Sequence, residues 1–264
     1  MEQIKELRER TGAGMVDCKK ALDEAGNDIE KAIEILRKKG ISKAAKRSER
    51  DASEGLVKLS TNDDKTEGYM LELKSETDFV ARNEKFQKLA DDILEVIKNN
   101  KPASREDLLK MTLNDSTVEE QVSGLSGVIG EKIELGQIAS VVGQTVASYS
   151  HLGGKIGVLV ALDQENQEEL ANDIAMHIAA ASPKYLNSTE VLSEELDKEK
   201  EIYREQLAKE GKPENIIENI MVGKVKKYYS EVCLLDQEYI KDDKKTVKEI
   251  LGGVNVVKFV RFAL

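Results

Sequence analysis

One nine-residue pattern, L-A-x-D-I-x-x-x-I, occurs twice in this chain. Leu89-Ala90-Asp91-Asp92-Ile93 runs on to Ile97, and Leu170-Ala171-Asn172-Asp173-Ile174 runs on to Ile178, 81 residues later. Apolar residues at i, i+1, i+4 and i+8 share one face of a helix. Each copy follows two apolar runs around a polar, glycine-containing turn, which is the signature of a β-hairpin. In the first copy the runs are Leu56, Val57 and Leu59, then Tyr69 to Leu73, around Thr61 to Gly68. In the second they are Val141, Val146 and Tyr149, then Ile156 to Val160, around Gly153-Gly154. A hairpin with one helix has apolar surface left over, and two such units packed together would bury it. The chain is therefore expected to build an α+β core from two related subdomains.

The copies differ in length at one joint. Fifteen residues separate Leu73 from Leu89, but seven separate Leu162 from Leu170. The first copy thus carries eight additional residues, within or near Lys74 to Asn83. A segment beyond what the unit needs to fold is a candidate functional loop.

The flanks read differently. Residues 1–50 hold 13 Lys and Arg against 10 Asp and Glu, a net of +3 in a chain whose overall charge is −10. Ile4 and Leu7 begin a short helix stopped by Gly12 and Gly14. Met15 to Ala25 is a second, with Cys18, Ala21 and Leu22 on one side. Ile29, Ala32, Ile33 and Leu36 make a third, capped by Asp28 and closed by Gly40. Lys43, Lys46, Arg47 and Arg50 then read as a solvated linker, with RNA contact as the less favoured reading. Near the other end, residues 184–228 are densely charged. Leu192, Leu196, Tyr203 and Leu207, then Ile216, Ile217, Ile220 and Met221 form two thin stripes broken at Gly211-Lys212-Pro213. This predicts an antiparallel helical hairpin inserted as an arm. Val232 to Leu235 and Val256 to Phe262 read as strands of the core, with a helix from Thr246 to Leu251 between them. The expected organisation is 1–50 as a helical head, 51–144 as the first core subdomain, 145–183 with 229–264 as the second, and 184–228 as the arm.

Composition narrows the function. Aromatics are 4% with no Trp, and the chain is acidic, so neither a base-stacking platform nor a basic nucleic-acid face is expected. Two cysteines do not make a disulfide scaffold. No apolar run approaches a membrane span, and Met1 to Glu6 does not open a signal peptide. A cytoplasmic, protein-binding chain is the expectation. The enzyme reading finds little support: there is no P-loop and no C-x-x-C. The G-x-G of Gly12-Ala13-Gly14 links two helices instead of following a strand. Asn62-Asp63-Asp64 lacks the spacing of a calcium loop. Cys18, Cys233 and His177 read as packed side chains, whereas His151 lies on a turn and either faces solvent or meets a partner. No catalytic residue, metal ligand or cofactor is expected.

Thr77-Asp78-Phe79-Val80 falls in the additional segment. A loop phenylalanine usually tucks into its own core. Beside an acid, and exposed, it has instead the chemistry of a protein–protein wedge. Its ring is worth about 1.5–3 kcal/mol on burial in a partner, and the carboxylate can cap a helix or pair with a cation.

Five stretches, in order along the chain, resemble the elongation factor Ts family of bacterial translation. They are Leu7 to Leu22, Thr77 to Arg82, Ser148 to His151 running into Gly157 to Val160, Ala175 to Ala180, and Phe259 to Phe262. The resemblance implies a ubiquitin-associated (UBA)-like three-helix head, a duplicated core and a coiled-coil arm. It implies a guanine nucleotide exchange factor that binds elongation factor Tu, GDP-bound or nucleotide-free, without covalent chemistry. The pair matching Asp78 and Phe79 would insert between two helices of the partner's GTPase domain, disturbing its magnesium and phosphate site. Arg8, Met15 and Val16 would be head contacts, with Val16 standing where many members carry Met, and His151 a contact near the wedge. A homodimer giving a two-plus-two complex is also implied, as is the lack of a C-terminal module in a chain stopping at Leu264. The alternative is a scaffold that binds without promoting exchange.

Overall fold

The computed structural model describes residues 1–211 and 213–264, and of Lys43 and Asn215 the backbone alone. Lys212, read above into the helix break, lies outside the described residues, as does the side chain of Lys43. The head consists of α1 (Glu2–Thr11), α2 (Met15–Glu24) and α3 (Ile29–Ala45). Gly12 ends α1 in the left-handed region, φ 71°, where its N–H reaches the Arg8 carbonyl. Asp28 caps α3 by accepting the Lys31 N–H at 3.1 Å. Leu7, Cys18, Ala21, Leu22 and Ala32 close a small core.

The repeat is visible in the topology. β1 (Glu54–Thr61) and β2 (Glu67–Ser75) form the first hairpin, whose turn is tied by Asn62 Oδ1 accepting the Thr66 and Glu67 amides. After it come α4 (Asp78–Ala81), α5 (Glu84–Asn100), α6 (Arg105–Lys110), β3 (Thr112–Leu113), β4 (Ser116–Thr117), α7 (Val118–Ile129) and β5 (Ile133–Val142). β5 lies antiparallel beside β2, giving the order β1-β2-β5. The second hairpin is β6 (Thr145–His151) with β7 (Ile156–Leu162). Then follow α8 (Glu168–Ala181), α9 (Ser193–Lys209), α10 (Glu214–Val232), β8 (Glu238–Tyr239), β9 (Asp242–Thr246), α11 (Val247–Leu251) and β10 (Val256–Ala263). β10 pairs with β7, so the second sheet, β6-β7-β10, repeats the order of the first.

Alternation along the strands makes four layers. Tyr69, Leu71 and Leu73 face α5, with Phe86, Ile93 and Ile97. Met70, between them, faces the other sheet and meets Val57, Leu159, Ala161 and Phe262. Val158, Val160 and Leu162 face Ile174 and Ile178 of α8. The two sheets are thus pressed face to face with a helix layer outside each. The glycine at 157 permits the approach: a Cβ there would stand 2.4 Å from Val57 Cγ1.

Four expectations are corrected. Val141 belongs to β5 of the first sheet, not to the second hairpin, because Gly143 turns the chain between them. Residues 232–235 do not form a strand. The Cys233 amide makes the last bond of α10, to Tyr229, and Leu234–Asp236 is a 3-10 turn. Gly40 does not close α3, which runs to Ala45. It is instead where α3 crosses α7, since a Cβ at Gly127 would lie 2.5 Å from Gly40 Cα. The basic stretch is also not a free linker: Arg47 donates to the Ser126 carbonyl at 3.2 Å and Arg50 pairs with Glu76 at 3.2 Å.

α9 and α10 pack along Leu207, Ile217 and Met221, flanked by Tyr203 and Ile220. Leu192 and Ile216 stay exposed. Leu192 precedes the helix, and adjacent Ile216 and Ile217 point about 100° apart, so only one meets the partner helix. At the arm's base Glu195 accepts from Tyr185, Tyr228 and Lys184. These donors hold its carboxyl down at about 2. Among the described residues no helix is long and apolar enough to cross a membrane.

Candidate partner-contact site

The additional residues of the first unit leave β2 and make a single helical turn, α4. Val80 and Ala81 are buried in the first core, whereas Phe79 is 81% exposed. Successive residues of a helix point about 100° apart, so rooting Val80 and Ala81 in the core turns the ring of Phe79 outward. The other three phenylalanines are buried or half-buried: Phe86, Phe259 and Phe262. Asp78 pairs with Arg82 one turn on, at 2.9 Å, with both side chains facing solvent.

The turn is tightly bracketed. Ser75 Oγ donates to the Thr77 carbonyl at 2.9 Å. The Thr77 amide and hydroxyl both donate to the Glu131 carboxylate, at 3.1 and 2.9 Å. Glu76 accepts the Lys132 amide at 2.6 Å, and this bond, with Arg50 beside it, lowers the Glu76 pKa. Of the four residues singled out in this motif, Phe79 and Asp78 are thus presented, while Thr77 and Val80 hold them.

The remaining candidates gather at the same end of the molecule. Lys155, at the tip of the second hairpin, pairs with Glu54. Glu54 opens β1 opposite Ser75, the last residue of β2. His151 is exposed at that tip, with its Nδ1 3.1 Å from the Tyr149 hydroxyl and the two rings stacked. The head approaches from the other side. A Cβ on Gly12 would stand 1.9 Å from Lys85 Nζ and 3.6 Å from Val128, so the α1–α2 turn passes the start of α5. Beyond that turn Met15 and Val16 are 56% and 67% exposed, and Arg8 is exposed on α1. Sequence reasoning missed Leu152. It is 66% exposed at φ 52° beside His151. A leucine placed directly before Gly153-Gly154 in a turn was the available signal.

The chemistry of this end is that of contact. It presents an exposed aromatic ring on a hydrogen-bonded turn, with an acid beside it and exposed apolar residues on two flanking elements. Among the described residues no three His, Cys, Asp or Glu side chains converge to hold a metal ion. His177 is fully buried, bonded through Nε2 to Gln237 Oε1 at 2.9 Å, and burial lowers its pKa. Cys18 and Cys233 are buried thiols, and burial pushes Cys233 up to about 11.

Comparison with known proteins adds three findings. The family model described as elongation factor TS matches residues 76–264. The elongation factor Ts of a Nitratiruptor species is 44% identical over 279 aligned positions, covering 99% of this chain and 92% of the relative. That of Clostridium botulinum is 46% identical over 276, covering 99% and 91%.

Proposed function

The chain belongs to the elongation factor Ts family, and we propose that it is a guanine nucleotide exchange factor for elongation factor Tu that works through an Asp78–Phe79 wedge. The observation that carries the reading is the ring of Phe79, 81% exposed on a turn whose next two residues are buried. An exposed phenylalanine held in place is costly to keep in water and ready to be covered by a partner. Because the turn is already ordered, little conformational freedom is lost when the ring enters the partner.

The mechanism is coupling between two ligands of one partner. Phe79 enters between two helices of the GTPase domain, and Asp78 accompanies it toward the magnesium and phosphate site. A protein that distorts this site weakens GDP, and GDP weakens the protein to the same extent. Each tenfold loss of nucleotide affinity needs about 1.4 kcal/mol, and one buried phenylalanine supplies about 1.5–3 kcal/mol. Large acceleration therefore needs further contact area. Arg8, Met15 and Val16 of the head and His151 of the second hairpin supply it around the wedge. GTP then replaces GDP according to the nucleotide concentrations of the cytoplasm. No bond is made or broken by this chain, and no cofactor takes part.

Stopped-flow release of fluorescent GDP from elongation factor Tu tests this, with the wild-type chain and Phe79→Ala. The expected outcome is strong acceleration that Phe79→Ala largely loses. Equal acceleration by both would keep the exchange function and move its origin to the head or core. Complex formation without acceleration would leave a scaffold.

A further inference from the structure

We infer that Glu131 is a positioning residue for the wedge, transmitting the seating of the head on α7 to Thr77 and so to Asp78–Phe79. This rests on the wedge reading above. The starting point is that α4 cannot orient itself. It is a single turn, closed by the Arg82 amide on the Asp78 carbonyl at 3.2 Å, and one turn of helix is not stable alone. Something outside the turn must set its direction. Val80 and Ala81 fix its depth, and Glu131 fixes its first residue by accepting both the amide and the hydroxyl of Thr77. Hydrogen bonds to an ionised acceptor are the stronger kind.

Glu131 is itself held by α7. That helix ends at Gly130 in the left-handed region, φ 91°, and Ser126 Oγ donates to the Glu131 carbonyl at 2.6 Å. α7 is also the element on which the head rests. Gly127 and Gly40 bring α7 and α3 into backbone contact, Arg37 pairs with Glu120, and Arg47 reaches the Ser126 carbonyl. One contiguous path therefore runs from α3 through α7 and Glu131 to Thr77, two residues from the ring.

The second unit has the same strand order without an equivalent of this contact. There too the exit of the middle strand is tied to the entry of the third: Asp163 accepts the Asn255 amide at 2.7 Å. The first unit has the matching tie in Glu76 and the Lys132 amide. Where the first unit adds Glu131, the second has Gly252, Gly253 and Val254, none of which offers a side-chain acceptor. The additional latch accompanies the additional segment.

The test is the GDP-release assay with the full chain, titrated to saturation, for wild type, Phe79→Ala, Glu131→Ala and the double variant. Glu131→Ala is expected to lower the maximal release rate by about tenfold or more, as a small misplacement of a working group does. The half-saturating concentration should stay within about twofold, because the contact area is unchanged. In the Phe79→Ala background Glu131→Ala should have no further effect, since both act through the same ring. Glu131→Gln should recover most of the rate, as its Oε1 can accept the Thr77 amide while its Nε2–H turns to the hydroxyl. Amide exchange at Thr77 should quicken in Glu131→Ala and in the double variant, and not in Phe79→Ala. Glu131→Met keeps the length of the side chain while removing both acceptor oxygens, so it breaks the amide and the hydroxyl bonds together and decides the matter if Glu131→Ala fails to fold; a wild-type rate for it then overturns the inference. So does a wild-type maximal rate for folded Glu131→Ala, or a loss that persists undiminished without Phe79. Wild-type release by Phe79→Ala would instead overturn the wedge reading, and the inference with it. A slow Phe79→Ala beside a fast Glu131→Ala overturns the inference alone.

Discussion

The two core units are built alike and used differently. Each is a hairpin, a helix, a short excursion ending in a two-strand turn and a capped helix, and a third strand beside the second. The first unit opens its scaffold between β2 and α5 and places α4 there. The second opens it after α8 and places the α9–α10 arm there. The same architecture therefore tolerates insertion at two joints, because both lie outside the paired strands and the helix face that form the core. The core pattern is kept in both copies, and the insertion sets what each copy presents.

The largest effect should come from what the units share. Ile93 and Ile174 are equivalent positions, both fully buried. Ile93→Ala and Ile174→Ala should each cost about 2–5 kcal/mol. Urea unfolding measures both, and a much smaller cost at one would break the equivalence. Phe79→Ala should do the reverse. It should reduce maximal GDP release by about tenfold or more, the range a misplaced or missing working group reaches, with the thermal midpoint almost unmoved, because the ring is exposed in the free protein.

A smaller pair concerns the caps. Thr117 and Thr246 each accept the amide of a glutamate three residues on, Glu120 and Glu249, which reach back to the threonine amides. Thr117→Ala and Thr246→Ala should each cost about 1 kcal/mol, read by the same unfolding experiment.

The smallest effect should separate the units by pH. His177 lies in the second unit, where Gln237 Oε1 accepts from its Nε2 and the Ile240 amide donates to its Nδ1. It is thus neutral when folded, and its pKa lies below the ordinary 6.5. Unfolded chains take up a proton near pH 6.5 that the folded chain refuses. Its stabilising contribution is complete above that pH and is lost as the pH falls through the lower folded value. Amide exchange, corrected for its chemical pH dependence, should show α8 losing protection before α5 on acidification, and His177→Gln should remove the difference.

Much of this was legible in the residues. The L-A-x-D-I repeat marked α5 and α8, and the difference in spacing marked the segment that carries Phe79. A second echo was present and unread: Thr117-Val118-Glu119-Glu120 and Thr246-Val247-Lys248-Glu249, the two capping boxes. It would have extended the repeat to the third strands. β5 was harder. Val141 and Val146 flank Gly143 closely enough to read as one run, and which sheet a strand joins depends on a partner far away in sequence. Gly40 misled for a related reason, since a mid-helix glycine resembles a terminator until its crossing partner is known.

The helices, their caps, the duplicated unit and the place of its insertion follow from local residue patterns, because periodicity and capping act over three or four residues. That Phe79 points outward, that Glu131 holds Thr77, and that Met15, Phe79 and His151 come to one end emerges with the packing of the whole chain. Each of those depends on which surfaces fill which spaces between elements distant in the chain, and a local pattern records a face without recording what that face will meet.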